Sequence, residues 1–192
     1  QILPIKFASS KLQPKQLFPS LTALENVNGQ IRGKTTIRWS KKGVSKSNAV
    51  ISAKDFSFAY GSTQVKGLNT KLSLNNLLPI RSEPKQNISI QALDFGIPIQ
   101  DLLVSYQINT RDTPRVLLDQ VHFLILGGEV TINPVVINLD PNAEASQIEA
   151  HLNNIDLNTF FKWIEIDGLT GDGRLSGNIP LTLDHDSIAI TN

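Results

Sequence analysis

The chain contains no cysteine. That absence excludes disulfides, thiol catalysis and cysteine-ligated zinc. Charge is also scarce. Lys, Arg, Asp and Glu make up 18% of the 192 residues, below the usual quarter for soluble domains. The balance is nearly neutral, at +1, so the electrostatic footprint of a nucleic-acid binder is missing. No apolar run reaches about 18 residues, so no segment reads as a membrane-spanning helix. No signal peptide opens the chain, and residue 1 is Gln. The last residues, Ile188-Ala-Ile-Thr-Asn192, stop within a strand pattern. The expectation is a piece excised from a longer protein, with any membrane anchor outside it. There is no G-x-S-x-G, no P-loop and no G-x-G-x-x-G.

What the chain does have is period-2 alternation. Ile31, Gly33, Thr35, Ile37 and Trp39 fall on one face. Phe56 and Phe58 alternate next, then Leu68, Thr70, Leu72 and Leu74. Ile88, Ile90 and Ala92 follow, then Leu102, Val104, Tyr106 and Ile108, and then Leu117, Asp119, Val121, Phe123 and Ile125. Val130 and Ile132 lead through Pro134 to Val135, Ile137 and Leu139. Ile148, Ala150 and Leu152, then Ile179, Leu181 and Leu183, and finally Ile188 and Ile190 complete the set. Gly, Pro, Asn and Asp clusters bound these runs. The reading is ten or eleven strands of a meandering antiparallel sheet.

Helix is scarce. Leu157, Phe160, Phe161 and Ile164 form an i, i+3, i+4, i+7 stripe, so a short helix is expected over about 157–165. Asp156 or Asn158 is its expected cap, and Gly168 lies just past its end. Single helical turns are expected at 20–25 and 75–78. Residues 78–84 read as a proline-flanked extended connection. Phe95-Gly96 reads as a turn, with an edge or bulge at Pro98.

Chemistry-bearing groups are few. His122, His151 and His185 each sit among alternating apolar residues and read as outward-facing strand or turn residues. Asp184-His185-Asp186 suits a hairpin turn, with a metal site as the rarer reading. Glu165, Asp167 and Asp172 resemble calcium-loop composition but lack the EF-hand pattern. Arg38, Lys41, Lys42 and Lys46 read as a solvated hairpin turn. No metal and no cofactor is expected, and the chain reads as a non-enzyme.

The most distinctive run is Leu169-Thr-Gly-Asp-Gly-Arg-Leu-Ser-Gly-Asn-Ile-Pro-Leu-Thr-Leu183, echoed by Gly29-Gln-Ile-Arg-Gly-Lys-Thr-Thr-Ile-Arg-Trp39. Residues 27–39 and 171–183 thus form a weak internal repeat in one module spanning 1–192. Glycines bend or bulge the backbone at the start of a strand, and alternation follows. Further ordered stretches are Gly67-Leu-Asn-Thr-Lys-Leu-Ser-Leu-Asn-Asn-Leu-Leu-Pro79, Pro84-Lys-Gln86, Leu93-Asp-Phe-Gly-Ile-Pro-Ile99, Leu126-Gly-Gly-Glu-Val130 and Leu157-Asn-Thr-Phe-Phe161. In this order and spacing, roughly over 20–192, they resemble the C-terminal region of YdbH-like proteins of the AsmA-type envelope group.

The resemblance implies an inner-membrane-anchored bridge whose β-sheets curl into an apolar groove in the periplasm. Such a groove carries phospholipid between inner and outer membranes. Adjacent repeats of the same protein and an outer-membrane lipoprotein are the implied partners. The region also carries the label "dicarboxylate transport". Physics is compatible with a groove. Each CH₂ leaving water contributes about 0.8 kcal/mol. A sixteen-carbon tail then gains on the order of 10 kcal/mol before ordering costs.

The expected fold is therefore all-β: a long, curved, twisted antiparallel sheet, half-open, with one or two short helices. The expected lining is Ile37, Trp39, Leu72, Leu74, Ile88, Ile90, Val104, Tyr106, Phe123 and Ile125. Phe160, Phe161 and Trp163 are expected to cap one end. Alternation alone suits a closed β-sandwich equally well. Such a sandwich would bind a small anion or a partner protein through loops such as 81–85 or 41–46.

Overall fold

Alternation over so much of the chain commits it to strands, and a chain that turns back every 10 to 20 residues pairs each strand with the last. A computed structural model describes residues 2–17, 19–41, 43–140, 142–165, 170–184 and 187–190. The elements are β1 (Ile2–Phe7), α1 (Pro14–Leu17), a 3₁₀ turn (Pro19–Leu21), β2 (Leu24–Ser40), β3 (Gly43–Tyr60), β4 (Thr63–Leu77) and β5 (Ile80–Ser82). They continue as β6 (Gln86–Asp94), β7 (Pro98–Asn109), β8 (Arg115–Ile125), β9 (Gly128–Ile132), β10 (Val135–Asn138), β11 (Ser146–Asp156), α2 (Leu157–Ile164), β12 (Arg174–Asp184) and β13 (Ser187–Ile190).

Among the described residues, all 13 strands belong to one antiparallel sheet that does not close into a barrel. β5 and β6 together occupy one ladder position between β4 and β7. β9 and β10 share another beside β8. The extensive strand contacts are between sheet neighbours. A sandwich requires a second layer facing the first, and the single sheet gives that alternative no support.

Most strands carry their apolar residues on one face, yet several also bend. Five strands do both through the same device. Alternation breaks by one residue, and a residue with positive φ fills the break. The runs are Leu24-Glu-Asn26-Val27, Ala53-Lys-Asp55-Phe56, Val65-Lys-Gly67-Leu68, Ile99-Gln-Asp101-Leu102 and Leu152-Asn-Asn154-Ile155. Their third residues have φ of 52°, 48°, 66°, 48° and 62°. Asn, Asp and Gly tolerate this left-handed region best. Each such bulge bends the strand and adds twist. Side chains satisfy the disrupted backbone: Asn69 Oδ1 accepts from Asp55 N at 3.0 Å, and Ser57 Oγ accepts from Gly67 N at 3.0 Å.

Bending lets side chains on one face meet over a strand. Phe7 of β1 and Phe56 of β3 pack edge to face, with ring centroids 6.0 Å apart. They close over Gly29 of β2, which pairs with Phe7. With Val27, which is fully buried, they form one apolar cluster. A second cluster, Val130, Ala150 and Ile155, lies under β9 and β11.

Where a strand stops or breaks, a side chain takes the place of backbone. Gln13 accepts from Val27 N at 3.0 Å and donates to Val27 O at 2.9 Å. Gln86 Oε1 accepts from Ser73 N at 2.7 Å, across the break between β5 and β6. Ser82 Oγ accepts from Ile108 N at 2.8 Å.

Several expectations are corrected. The helical turn placed at 75–78 does not form, because β4 runs on to Leu77. Ser47 Oγ accepts from Leu77 N and donates to Asn76, which ties this strand end to β3. The turn at 20–25 is shorter and earlier, at Pro19–Leu21, because β2 already begins at Leu24. Residues 80–82 of the proline-flanked connection are a strand. In β8 a register shift over 118–120 breaks the alternation: Leu118, not Leu117, pairs with Tyr106. His185, Asp186, Asp167 and Gly168 lie outside the described residues.

The two runs of the weak repeat each place a positive-φ glycine ahead of alternating residues, Gly29 at 119° and Gly173 at 145°. A Cβ on Gly29 would lie 2.6 Å from Phe56 Cα, whereas one on Gly177 meets nothing within 4 Å. Gly29→Ala is therefore expected to lower unfolding free energy by about 2 kcal/mol or more. Gly177→Ala is expected to change it by no more than about 0.5 kcal/mol. Chemical denaturation of both variants checks this, and equal effects would refute it.

Candidate functional site: an uncovered apolar face

Residues directly opposite in an antiparallel ladder share a face. One cross-strand row can be followed through the register: Ile31, Ala53, Thr70, Ile88, Val104, Val121, Ile132, Ala150 and Ile179. It crosses nine ladder positions, about 38 Å at about 4.8 Å per step. Only Thr70 is polar. Its neighbour on this face is Tyr106, whose hydroxyl hydrogen-bonds to it. Burial pushes the Tyr106 hydroxyl pKa up, and the Thr70 bond draws it part of the way back. Thr70 Oγ1 itself donates to Asn87 O at 2.8 Å, so its proton goes to backbone.

Parallel rows extend the face. Ile51 pairs with Leu72, Ala49 with Leu74, and Ile90 with Leu102. Phe123 pairs with Val130, and Val130 with Leu152. The opposite face is mostly polar: Arg32, Ser52 and Lys71 share one row, and Leu103, His122, Thr131, His151 and Asn178 another.

The expected lining residues fall on the apolar side, but they are not equivalent. Leu72, Leu74, Ile88, Ile90 and Val104 lie on β4, β6 and β7, between the two buried clusters, and are only half-buried. Ile88 and Val104 are direct partners. Tyr106 is buried. Phe123 and Ile125 pack against the cluster of Val130, Ala150 and Ile155. Ile37 and Trp39 lie apart, near the free end of the β2–β3 hairpin, where Trp39 is 72% exposed. Ile31, Ala53, Thr70, Val121, Ile132, Ala150 and Ile179 make up the rest of the row. Alternation was visible, but which strands are neighbours was not.

α2 lies at the end of the sheet where the β6–β7 and β8–β9 turns meet. Asp156 caps it, with Oδ1 accepting from Thr159 N at 2.7 Å. Glu165, at φ 51°, ends it. Trp163 Nε1 donates to Gly96 O at 2.8 Å, joining the helix to the β6–β7 turn. Phe160 packs on Phe161 and Trp163, with centroids 5.8 and 6.2 Å away. Phe161 covers Gly171, where a Cβ would lie 2.9 Å from its ring.

A concavity of about 500 Å³ lies elsewhere. It opens beside Thr159 on the polar side, where Gln100, Leu124, Glu129 and Asn153 form an outward row. Glu129 accepts from Asn153 at 2.7 Å, and His122 Nε2 lies 3.3 Å from its other oxygen. Asn153 and then His122 hold the Glu129 carboxyl pKa below its ordinary value. The described residues contain no group of three or more His, Asp or Glu able to hold a metal. His122 and His151 lie in the polar row, as outward-facing strand residues.

Fold and face together define a class: an open, single-layer antiparallel β-sheet with one continuous apolar face. Residues 2–192 match the model of the YdbH-like family, described as intermembrane phospholipid transport protein YdbH, and the chain belongs to that family. No curated protein and no solved structure gives a match.

The helix cap generates a pH prediction. Thr159 holds the Asp156 carboxyl pKa below its ordinary value, first through its hydroxyl and then through its backbone N–H. A carboxyl with a lowered folded pKa stabilises above its unfolded value and loses that contribution as pH falls through the folded one. With Trp39→Phe leaving one indole, Trp163 emission is expected to hold above about pH 4 and to shift red below it. Asp156→Asn, which keeps an acceptor but does not titrate, is expected to flatten that profile. An unchanged profile in that variant would show that another group controls the helix.

Proposed function

We propose that the apolar face shields phospholipid acyl chains as they pass between the inner and outer membranes. The protein works as a periplasmic carrier surface rather than a catalyst. The observation that carries this reading is the row from Ile31 to Ile179, followed across nine ladder positions with no second sheet over it. Family membership supplies the ligand class, since the family's description names intermembrane phospholipid transport.

The physical logic is a matter of length and of what the surface omits. A bilayer's hydrocarbon core is about 30 Å thick, so one leaflet's acyl chains span about half of that. The row of about 38 Å therefore exceeds a single acyl chain. A carrier has to release what it binds, so an open face without deep pockets suits movement along it. Head groups need no cage here, because they stay in water. The edge strands β1 and β13 leave unpaired backbone groups on which adjacent segments of the same protein would extend the sheet. An inner-membrane anchor and an outer-membrane lipoprotein partner complete the bridge in this reading.

Native mass spectrometry of the protein purified from cells tests the reading directly. Co-purified phospholipid is expected. Ile88→Asp and Val104→Asp put a charge on the apolar face and are expected to reduce bound lipid at least tenfold. Asn87→Asp and Ser105→Asp place the same charge one residue along the strand, on the polar face, and are expected to leave lipid unchanged. Equal lipid in all four variants, each folded by circular dichroism, would exclude this face as the carrier.

A further inference from the structure

The near-neutral total hides a separation of charge. Of the 18 Lys and Arg, ten fall within residues 26–82, and of the 17 Asp and Glu only Asp55 does. The rest of the chain therefore holds eight basic and sixteen acidic residues. The positive segment is the β2–β4 region through β5. At the free ends of its hairpins, charge meets exposed apolar surface.

Two hairpin tips stand side by side there. Arg38 pairs with Lys46 and Trp39 with Val44 just before the β2–β3 turn, which contains Lys41. Leu77 pairs with Ile80 around the β4–β5 turn, which contains Leu78, and Asn76 pairs with Arg81. Ser47 Oγ donates to Asn76 Oδ1 at 2.8 Å, locking the two tips together. Trp39 is 72% exposed and Leu78 is 85% exposed, with Ile37 and Ile80 at their bases. Lys41, Lys46 and Arg81 are exposed around them. The opposite end of the sheet differs. There Phe95 and Tyr60 are exposed, but Asp94, Asp101 and Glu129 accompany them, and α2 lies across the turns.

We propose that the paired β2–β3 and β4–β5 tips dock on the surface of an anionic phospholipid bilayer. Trp39 and Leu78 enter the interface, and Lys41, Lys46 and Arg81 meet the lipid phosphates. Tryptophan has an apolar ring with one polar N–H and settles at the head-group level. Lysine and arginine beside such an anchor gain from the negative surface potential of anionic lipids, within a Debye length of about 8 Å at physiological salt. The charge complementarity selects a negatively charged surface, and the exposed indole and leucyl side chains select one with an apolar interior. A soluble polyanion satisfies only the first condition. Docking extends beyond lipid carriage and does not depend on it, because Leu78, Lys41, Lys46 and Arg81 are outside the apolar row.

Vesicle flotation tests this with two compositions: phosphatidylcholine alone, and phosphatidylcholine with 30% phosphatidylglycerol. The protein is expected to float with the anionic vesicles, to detach as salt rises, and to ignore the neutral ones. In a Trp163→Phe background, Trp39 emission is expected to shift blue on the anionic vesicles and to be quenched by brominated acyl chains. Lys41→Glu with Lys46→Glu is expected to weaken binding about fivefold or more per charge. Leu78→Ser is expected to weaken it while leaving the salt dependence in place. Binding to both vesicle types alike, an unmoved Trp39 emission, or full binding by the charge-reversed variant would each overturn the proposal. So would assembly of the protein with itself through this end, seen by sedimentation velocity and abolished by Lys41→Glu. Lipid that co-purifies normally with the Leu78→Ser and charge-reversed variants separates failure of docking from failure of carriage.

Discussion

The structure depends on one constraint: a single sheet must keep its apolar side chains on one face while its strands bend. In a flat strand, strict alternation achieves this. Every bulge threatens it, because one extra residue throws all following side chains to the other face. The chain answers with a paired change. At each of the five bent positions the apolar spacing lengthens from two to three, and Asn, Asp or Gly takes the left-handed conformation within the gap. Leu24 and Val27, Ala53 and Phe56, and Leu152 and Ile155 therefore still point the same way. Curvature and sidedness are written in the same four residues.

A single layer also leaves its breaks with no packing partner to hide them. Unpaired backbone groups at such places cost free energy when buried. Gln13, Gln86 and Ser82 fill those roles with side-chain amides and a hydroxyl, and Gln86 and Ser82 are themselves buried. Among the described residues no buried side-chain polar atom lacks a partner. The sheet is thus continuous in hydrogen bonding even where it is discontinuous in chain, with Ser82 opposite Leu74 and Gln86 opposite Tyr106 at the break between β5 and β6.

Much of this was legible in the amino-acid pattern. Alternation identified most of the strands, and the stripe at 157, 160, 161 and 164 located α2, with Asp156 as one of two candidate caps. The resemblance identified the family. Three features were not legible for physical reasons. β1 has Pro4 within six residues and no alternation, so only its pairing with β2 makes it a strand. The shift at 118–120 interrupts alternation without a glycine or proline to mark it. The number of layers was hidden most completely, since a strand's inward face reads identically whether it meets a second sheet or nothing. The basic segment is hidden because its cations are spread over several strands and turns of the chain. Arg32, Lys34 and Arg38 alternate along β2 as surely as the aliphatics do, and only the register shows Ser52 and Lys71 beside them.

The order of the strands carries a last consequence. Apart from the two split positions, each strand of this sheet pairs with the one made just before it and the one made just after. No strand has to wait for a distant segment, so the loop-closure entropy of each addition is small. The sheet can lengthen along one growing edge as the polypeptide emerges, each new strand templated by the previous one. A protein threaded through a membrane from its N-terminus would then fold in the direction in which it arrives.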